Sequence, residues 1–357
     1  ISCGDELYVG TNVGDSLILL EDTQPYDAYE ASLDIYAAYV MADFMLASDL
    51  RLLGGARVEV TAQVIDPRSQ FEGGGDLPSA DIEETDVLPA LSLVYSATHT
   101  TKLRASLSRT LARPQIRELS PFTYAEFYGA RPFSGNPDLE LTYVSNADLR
   151  FEYYPTQREV MAFSFFFKDF EAPIENVVIA SGDGIVQPRN ARGGKLLGLE
   201  LEARKSLGFV GEALHDVSLI ANLTLAESRI EIDPGRTVSV TNLSRPMVNQ
   251  APFVVNLALD YTNDETGTGV RALYNVSGRR IVEVETRDLP DAYEQPKHGV
   301  DLTVSQDVGD RVSLKLAGSN LLGSRYVVTS GTENRDDRVL QSYTESRVFS
   351  FSATYTH

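Results

Sequence analysis

The sequence has no tryptophan, one cysteine, four histidines and no long hydrophobic run. The lone Cys3 excludes an internal disulfide framework and any cysteine-based zinc site. His99, His215, His298 and His357 lie far apart, without the short spacings of metal ligands, so neither a metal nor a bound cofactor is expected. The longest apolar runs, Val160–Phe167 and Ser218–Leu225, fall short of the roughly 18 to 20 residues that a membrane-spanning helix needs. Basic charge is scarce as well: 31 Lys and Arg stand against 51 Asp and Glu, a net charge of −20, which argues against nucleic-acid binding. The chain opens on Ile1 without a basic segment or a cleavage site, so no signal peptide is legible and a start lying further upstream is the expectation.

Catalytic signatures are missing too. Gly73-Gly74-Gly75 lacks the following Lys-Ser/Thr of a phosphate cradle and reads as a flexible loop. Ser181-Gly182-Asp183-Gly184 lacks the later acidic ligands of a calcium loop and reads as a hairpin tip. No Ser-His-Asp order or paired-carboxylate spacing stands out, so the chain is not expected to be an enzyme.

What is present is alternation. Ala56, Val58, Val60 and Ala62 fall on one face of a strand, and Arg57, Glu59, Thr61 and Gln63 on the other. The same dyad recurs at Leu103, Ala105 and Leu107 against Lys102, Arg104, Ser106 and Ser108, and at Leu149 and Phe151 against Arg150 and Glu152. It returns at Leu197, Leu199 and Leu201 against Glu200, Glu202 and Arg204. With 17 Tyr and 15 Phe, this mix suits strands that have one apolar and one polar face.

The rhythm predicts about 13 strands, near 33–46, 50–65, 87–98, 101–112, 141–154, 157–170, 194–206, 214–230, 249–262, 268–283, 297–307, 311–321 and 345–356. Short connections such as 47–49, 99–100, 155–156, 263–267 and 308–310 alternate with long ones at 66–86, 113–140, 171–193, 231–248, 284–296 and 322–344. An up-and-down membrane barrel requires that asymmetry, with short periplasmic turns and long outer loops. The expected fold is therefore all-β, an antiparallel up-and-down transmembrane β-barrel; a closed barrel is also the only sheet stable in lipid. Pro114, Pro121, Pro132, Pro137, Pro173, Pro188, Pro234, Pro246, Pro290 and Pro296 fall in long loops or where strands begin, and Pro155 in a turn, so prolines are expected to avoid strand interiors. Tyr29–Ala47, rich in Ala, Leu and Met, is also compatible with a helix. The 66–86 segment carries Asp66, Glu72, Asp76, Asp81, Glu83, Glu84 and Asp86 against Arg68 alone, and is expected to be a surface loop that repels neighbouring charge.

Several segments carry a resemblance. Arg109 and Arg113-Pro114 with Leu119 lead into Gly135-Asn136-Pro137-Asp138-Leu139, then Ser145-Asn146-Ala147-Asp148-Leu149. With Gly198-Leu199-Glu200-Leu201-Glu202, Tyr293-Glu294-Gln295-Pro296 and Gly318-Ser319-Asn320-Leu321, these resemble the barrel of TonB-dependent outer-membrane receptors over about residues 30–356. Two departures are visible: Glu140-Leu141 stands where the family carries Lys-Pro, and the last strand ends in His357 instead of an aromatic residue.

The resemblance implies a partial barrel, about 13 of some 22 strands, in the bacterial outer membrane. Residues 1–32 would be an outer loop or a remnant of upstream barrel, and 33–357 the C-terminal portion of the barrel. A plug domain, a TonB box and the first strands would lie upstream. The implied partners are outer-membrane lipid, the TonB-ExbB-ExbD system, the protein's own plug and a small-molecule or metal-chelate ligand, with no nucleic acid. The implied function is TonB-energised uptake of a scarce nutrient such as a ferric siderophore, cobalamin or an oligosaccharide. A passive porin-like channel and a soluble secreted β-rich binding domain are the alternatives. Lys102, Arg104, Arg150, Glu152, Glu200 and Arg204 are expected to line the lumen, where they would contact the plug or guide solute.

Overall fold

A computed structural model describes residues 28–68, 78–125, 131–179, 184–232, 242, 244–285, 289–331 and 338–356. Cys3, Gly73-Gly74-Gly75, Ser181-Gly182-Asp183, His357 and most of the 1–32 segment lie outside them. One antiparallel sheet dominates. Its strands are β1 (Ala28–Ala47), β2 (Leu50–Arg68), β3 (Ala80–Tyr95), β4 (Thr101–Ala112), β5 (Thr142–Tyr153), β6 (Val160–Glu171) and β7 (Gly193–Ser206). They continue as β8 (Val217–Glu231), β9 (Phe253–Asn263), β10 (Thr268–Ser277), β11 (His298–Val308), β12 (Val312–Ser319) and β13 (Val348–Tyr355). Each pairs with its neighbours in sequence, and the short Ser244–Arg245 strand adds to β8. The sheet is open: among the described residues β1 pairs only with β2, and β13 only with β12.

The dyads set the faces. Leu107 and Leu259 are 59% and 48% exposed, and Phe163, Phe165, Leu201 and Leu257 share their outward side. The opposite residues turn inward, where Glu59, Thr61 and Gln63 of β2 are buried. An exposed apolar face backed by a polar interior inverts the plan of a water-soluble sheet and fits a wall in lipid.

β1 is a strand and not a helix, paired with β2 from Ala28↔Arg68 to Ala47↔Leu50. Its helical look has a cause: Leu33, Ile35, Tyr39 and Met41 occupy one face and Tyr36, Val40 and Phe44 the other, so the period-2 polar signal is absent. Three expectations need correction. Both described ends of the 66–86 segment are strand, since β2 runs on to Arg68 and β3 starts at Ala80, which places Asp81, Glu83, Glu84 and Asp86 on the wall above the apolar band. The strand expected over 268–283 leaves the barrel at Ser277, and Arg280–Glu283 joins a separate sheet. Prolines do enter strands: Pro89 lies inside β3, where pairing with β4 ends at Ala90↔Ser108, one position short of the residue without an N–H.

All short turns lie at one end. There, backbone bonds link successive turns into a rim: Ser96 N–H to Asp49 O at 2.7 Å, Tyr154 to Thr100 at 2.7 Å, Thr262 to Asp216 at 3.0 Å, Asp307 to Gly267 at 2.8 Å and Thr356 to Arg311 at 2.8 Å. Gly267 has φ +65°, and a Cβ there would stand 2.8 Å from that of Asp307, so the turn requires glycine. At the other end the long connections build two small sheets. One joins Thr123–Tyr124, Phe133–Ser134, Val186–Asn190 and Ile174–Val178; the other joins Arg280–Glu283, Ala292–Glu294, Arg325–Ser330 and Arg338–Thr344. A parallel bridge, Val177↔Val284, connects the two.

Candidate functional site

The connection after β4 turns inward over the mouth. Arg113 reaches past β3 to β2, donating to the Glu59 carboxylate and, at 3.0 Å and 2.8 Å, to Thr61 Oγ1. Gln63 Nε2 donates to the Pro114 carbonyl at 3.0 Å. A single helical turn follows, α1 (Ile116–Leu119), its first turn closed by Gln115 N–H on Glu118 Oε2 at 2.7 Å. Leu119 is buried with Ile65, Ala80 and Leu139, and Tyr29, Ile82, Ile116 and Ile174 pack around them. The barrel's mouth therefore holds a small apolar core of its own.

The return path is equally fixed. Asn136 N–H donates to Glu118 O at 2.6 Å, and its amide donates to Pro188 O at 3.1 Å. Asn190 accepts from Glu140 N–H at 2.9 Å and donates to Glu140 O at 3.0 Å and Ala172 O at 2.7 Å, which ties this connection to the next.

Aromatic rings line this inturned segment. Tyr29, Phe122, Tyr124 and Phe133 follow one another at centroid spacings of 5.5, 5.2 and 5.4 Å, and the Arg117 guanidinium stands 5.6 Å over Tyr124. Beside them the loop sheets are cross-linked by charge. Arg245 and Glu175, both buried, pair at 2.6 Å, and Glu175 also accepts from Val248 N–H at 2.9 Å. Arg131 reaches Glu285 at 2.5 Å and Glu283 at 3.5 Å. Burial pushes the Glu283 carboxyl above the usual carboxylate range; Arg131 opposes this and Glu285 adds to it.

A second constellation lies on the polar, inward face of the wall. Arg104 donates to Glu152 at 2.9 Å, Arg150 donates to the other Glu152 oxygen at 2.9 Å, and Arg150 continues to Ser164 at 2.9 Å and Glu202 at 2.6 Å. This ion chain crosses β4, β5, β6 and β7 at one level. Among the described residues no group of three or more His, Cys, Asp or Glu side chains is arranged for a metal.

A family described as "TonB dependent receptor-like, beta-barrel" matches residues 5–321 by sequence. The chain belongs to the TonB-dependent receptor β-barrel family. Solved receptors share the fold. The ferric citrate transporter FecA, in its unliganded form, superposes with a TM-score of 0.67 at 14% identity over 92% of this chain and 46% of its own. The ferric yersiniabactin uptake receptor FyuA of Yersinia pestis gives 0.64 at 15% identity, over 92% and 46%. A mutant of the ferric enterobactin receptor PfeA of Pseudomonas aeruginosa, in complex with enterobactin, gives 0.58 at 18% identity, over 91% and 54%. The chain thus spans about half the length of these receptors. No curated protein sequence matches it.

In this receptor barrel the family-motif residues are the carpentry of the mouth. Arg113, Pro114, Leu119, Gly135, Asn136 and Leu139 build the inturned segment described above. Pro137 lies between Asn136 and Asp138, whose N–H the Asn136 side chain accepts at 3.1 Å. Arg109 stands 4.8 Å over Tyr143 and meets Glu171 at 3.2 Å. Asn320 adopts φ 52° and donates from its amide to Glu345 O at 2.9 Å. Of the six lumen residues read from sequence, Arg104, Arg150 and Glu152 come together. Lys102 sits across from Glu152 in register, while Glu200, opposite Ser164 and Thr224, and Arg204 lie on the same face outside the ion chain. Sequence reading passed over Glu202 as an ion-chain member, Glu59 as the partner of Arg113 and the Phe122–Tyr124 rings, because cross-strand partners follow from register and not from spacing.

Proposed function

We propose that this chain forms the wall and outer mouth of a receptor that captures a small ferric chelate bearing aromatic iron-binding groups and passes it to a plug within the barrel. The aromatic run Tyr29, Phe122, Tyr124 and Phe133, topped by Arg117, carries this reading: stacked rings and a guanidinium suit a flat, electron-rich, anionic ligand. The ligands named for similar receptors, enterobactin, yersiniabactin and ferric citrate, support an iron chelate over cobalamin or an oligosaccharide. The inturned 113–141 segment narrows the mouth, which counts against an open passive channel. In this reading the lumen chain around Glu152 faces the plug, and an energised TonB system releases the ligand inward.

The test is binding of radioiron-loaded catecholate, citrate and hydroxamate chelates, with cobalamin and a maltooligosaccharide as competitors. Saturable binding of an aromatic chelate, lost in a Phe122→Ala/Tyr124→Ala double variant, is the expected outcome. Binding of cobalamin or sugar instead, or an aromatic chelate held equally well by the double variant, would overturn the proposal.

A further inference from the structure

The connection between β7 and β8 departs from the other short turns. It builds two successive 3-10 turns, Leu207–Phe209 and Glu212–Leu214, and leaves Phe209 and Val210 73% and 64% exposed. The display is rigid: Ser206 Oγ accepts from Gly208 N–H at 3.3 Å and donates to His215 O at 3.2 Å, closing the base, and Val210 N–H caps Leu207 O at 2.9 Å. A firmly held, exposed Phe-Val pair at a turn is unlike the polar tips at 264–267 and 309–311.

Its position identifies what covers it. Lys205 shares the outward face of β7 with Leu199 and Leu201, and its ammonium lies 5.9 Å from the Phe209 ring centre, so the ring sits on the lipid side of the wall. On that same side and end, Tyr95, Tyr153 and Tyr355 mark the last outward positions of β3, β5 and β13, and Tyr261 the last but one of β9. Such aromatic residues settle at the headgroup level of a bilayer. At the β7–β8 hairpin no tyrosine takes that place, and the Phe209 ring lies there beside Lys205. Lys205, held at 2.9 Å by Glu159, marks the level where the wall leaves the apolar zone.

We propose that the 207–214 turn is a membrane foot: Phe209 and Val210 insert into the headgroup and upper acyl region of the leaflet at the short-turn end, which is the phospholipid leaflet facing the periplasm. The occupant is lipid because the patch is continuous with the outward apolar face of β7 and β8, where Leu201 and Leu225 are already lipid-facing. The foot fixes the depth and tilt of this side of the barrel independently of any ligand.

Tryptophan is absent from the chain, so Phe209→Trp introduces a sole indole by an aromatic-for-aromatic exchange on an exposed turn. The full chain is reconstituted in phosphatidylethanolamine–phosphatidylglycerol vesicles with bromine placed shallow or deep on the acyl chains. Leu257→Trp in the mid-wall and Glu265→Trp at a polar turn serve as references. The foot predicts blue-shifted emission at 209, with about half of it lost to shallow bromine and little to deep bromine. Emission at 209 that matches the aqueous 265 position overturns the foot while quenching at 257 leaves the wall intact. Blue-shifted but unquenched emission at 209 means protein covers the ring and overturns it as well. Absence of quenching at both 209 and 257 overturns the foot together with the membrane wall.

Discussion

Gly135 lies so close to Ser120 that a Cβ on the glycine would stand 2.1 Å from the Ser120 carbonyl oxygen, and within 2.8 Å of the Arg117 and Glu118 carbonyls. The returning chain crosses α1 backbone to backbone, and Asn136 N–H takes up the Glu118 carbonyl at that crossing. Any side chain at 135 pries the two apart. Gly135→Ala is expected to cost the inturned segment about 1 to 3 kcal/mol. Limited proteolysis should show new cleavage within 113–141 and unchanged resistance of the barrel strands; an intact segment would refute the crossing.

Leu257 marks the lipid side of β9. Leu257→Arg is expected to destabilise the membrane-inserted wall by about 2 to 4 kcal/mol, as arginine does near a bilayer midplane. Thr224→Arg, on the inward face opposite Glu200, is expected to be close to neutral. Denaturant unfolding in lipid vesicles compares the two; equal effects would refute the distinction between the faces, and a larger cost at Thr224 would reverse it.

The lumen ion chain depends on Glu152, which is buried and accepts from both Arg104 and Arg150. Glu152→Gln removes the shared counter-charge and is expected to cost about 1 to 3 kcal/mol. A further Arg104→Met change should restore part of the loss, because it removes the guanidinium left without its carboxylate. Double-mutant unfolding measures the coupling, and simple additivity would mean that the chain is not one unit.

Glu283 makes the stability of the loop sheets depend on pH in a defined direction. Burial raises its pKa, so the folded loop sheets bind its proton more tightly than the unfolded chain. The stability this adds is fully present below the ordinary glutamate value and is lost as pH rises through the raised one. Protection of 280–283 against hydrogen exchange, taken relative to the intrinsic rate at each pH, should therefore fall from mildly acidic to neutral pH, and Glu283→Gln should flatten that dependence. A profile unchanged in the variant would remove Glu283 as the cause.

Much of the wall was legible because a barrel strand writes its two solvents into alternate residues. Thr101–Ala112 is bounded by strong signals on both sides, and its range agrees end to end. β1 was ambiguous because both its faces are apolar, and β3 was cut short because its acidic upper half looked like a loop. The ladder that leaves β10 at Ser277 could not be foreseen, since Arg280–Glu283 keeps an extended pattern while changing sheets. The mouth was visible only as family motifs. Their physical meaning, a glycine for a backbone crossing and an arginine spanning to a strand two places away, lies in contacts that sequence order does not display.

The open edges have a consequence for parity. β1 and β13 both run from the long-loop end toward the short-turn end, so a seam made directly between them would be parallel. Antiparallel closure needs an odd number of strands between β13 and β1, entering at one edge upward and leaving at the other the same way. Whatever completes this cylinder must therefore count odd, and a second copy of the thirteen-stranded sheet satisfies that arithmetic at only one relative orientation, with its short turns at the opposite end of the wall from those of the first.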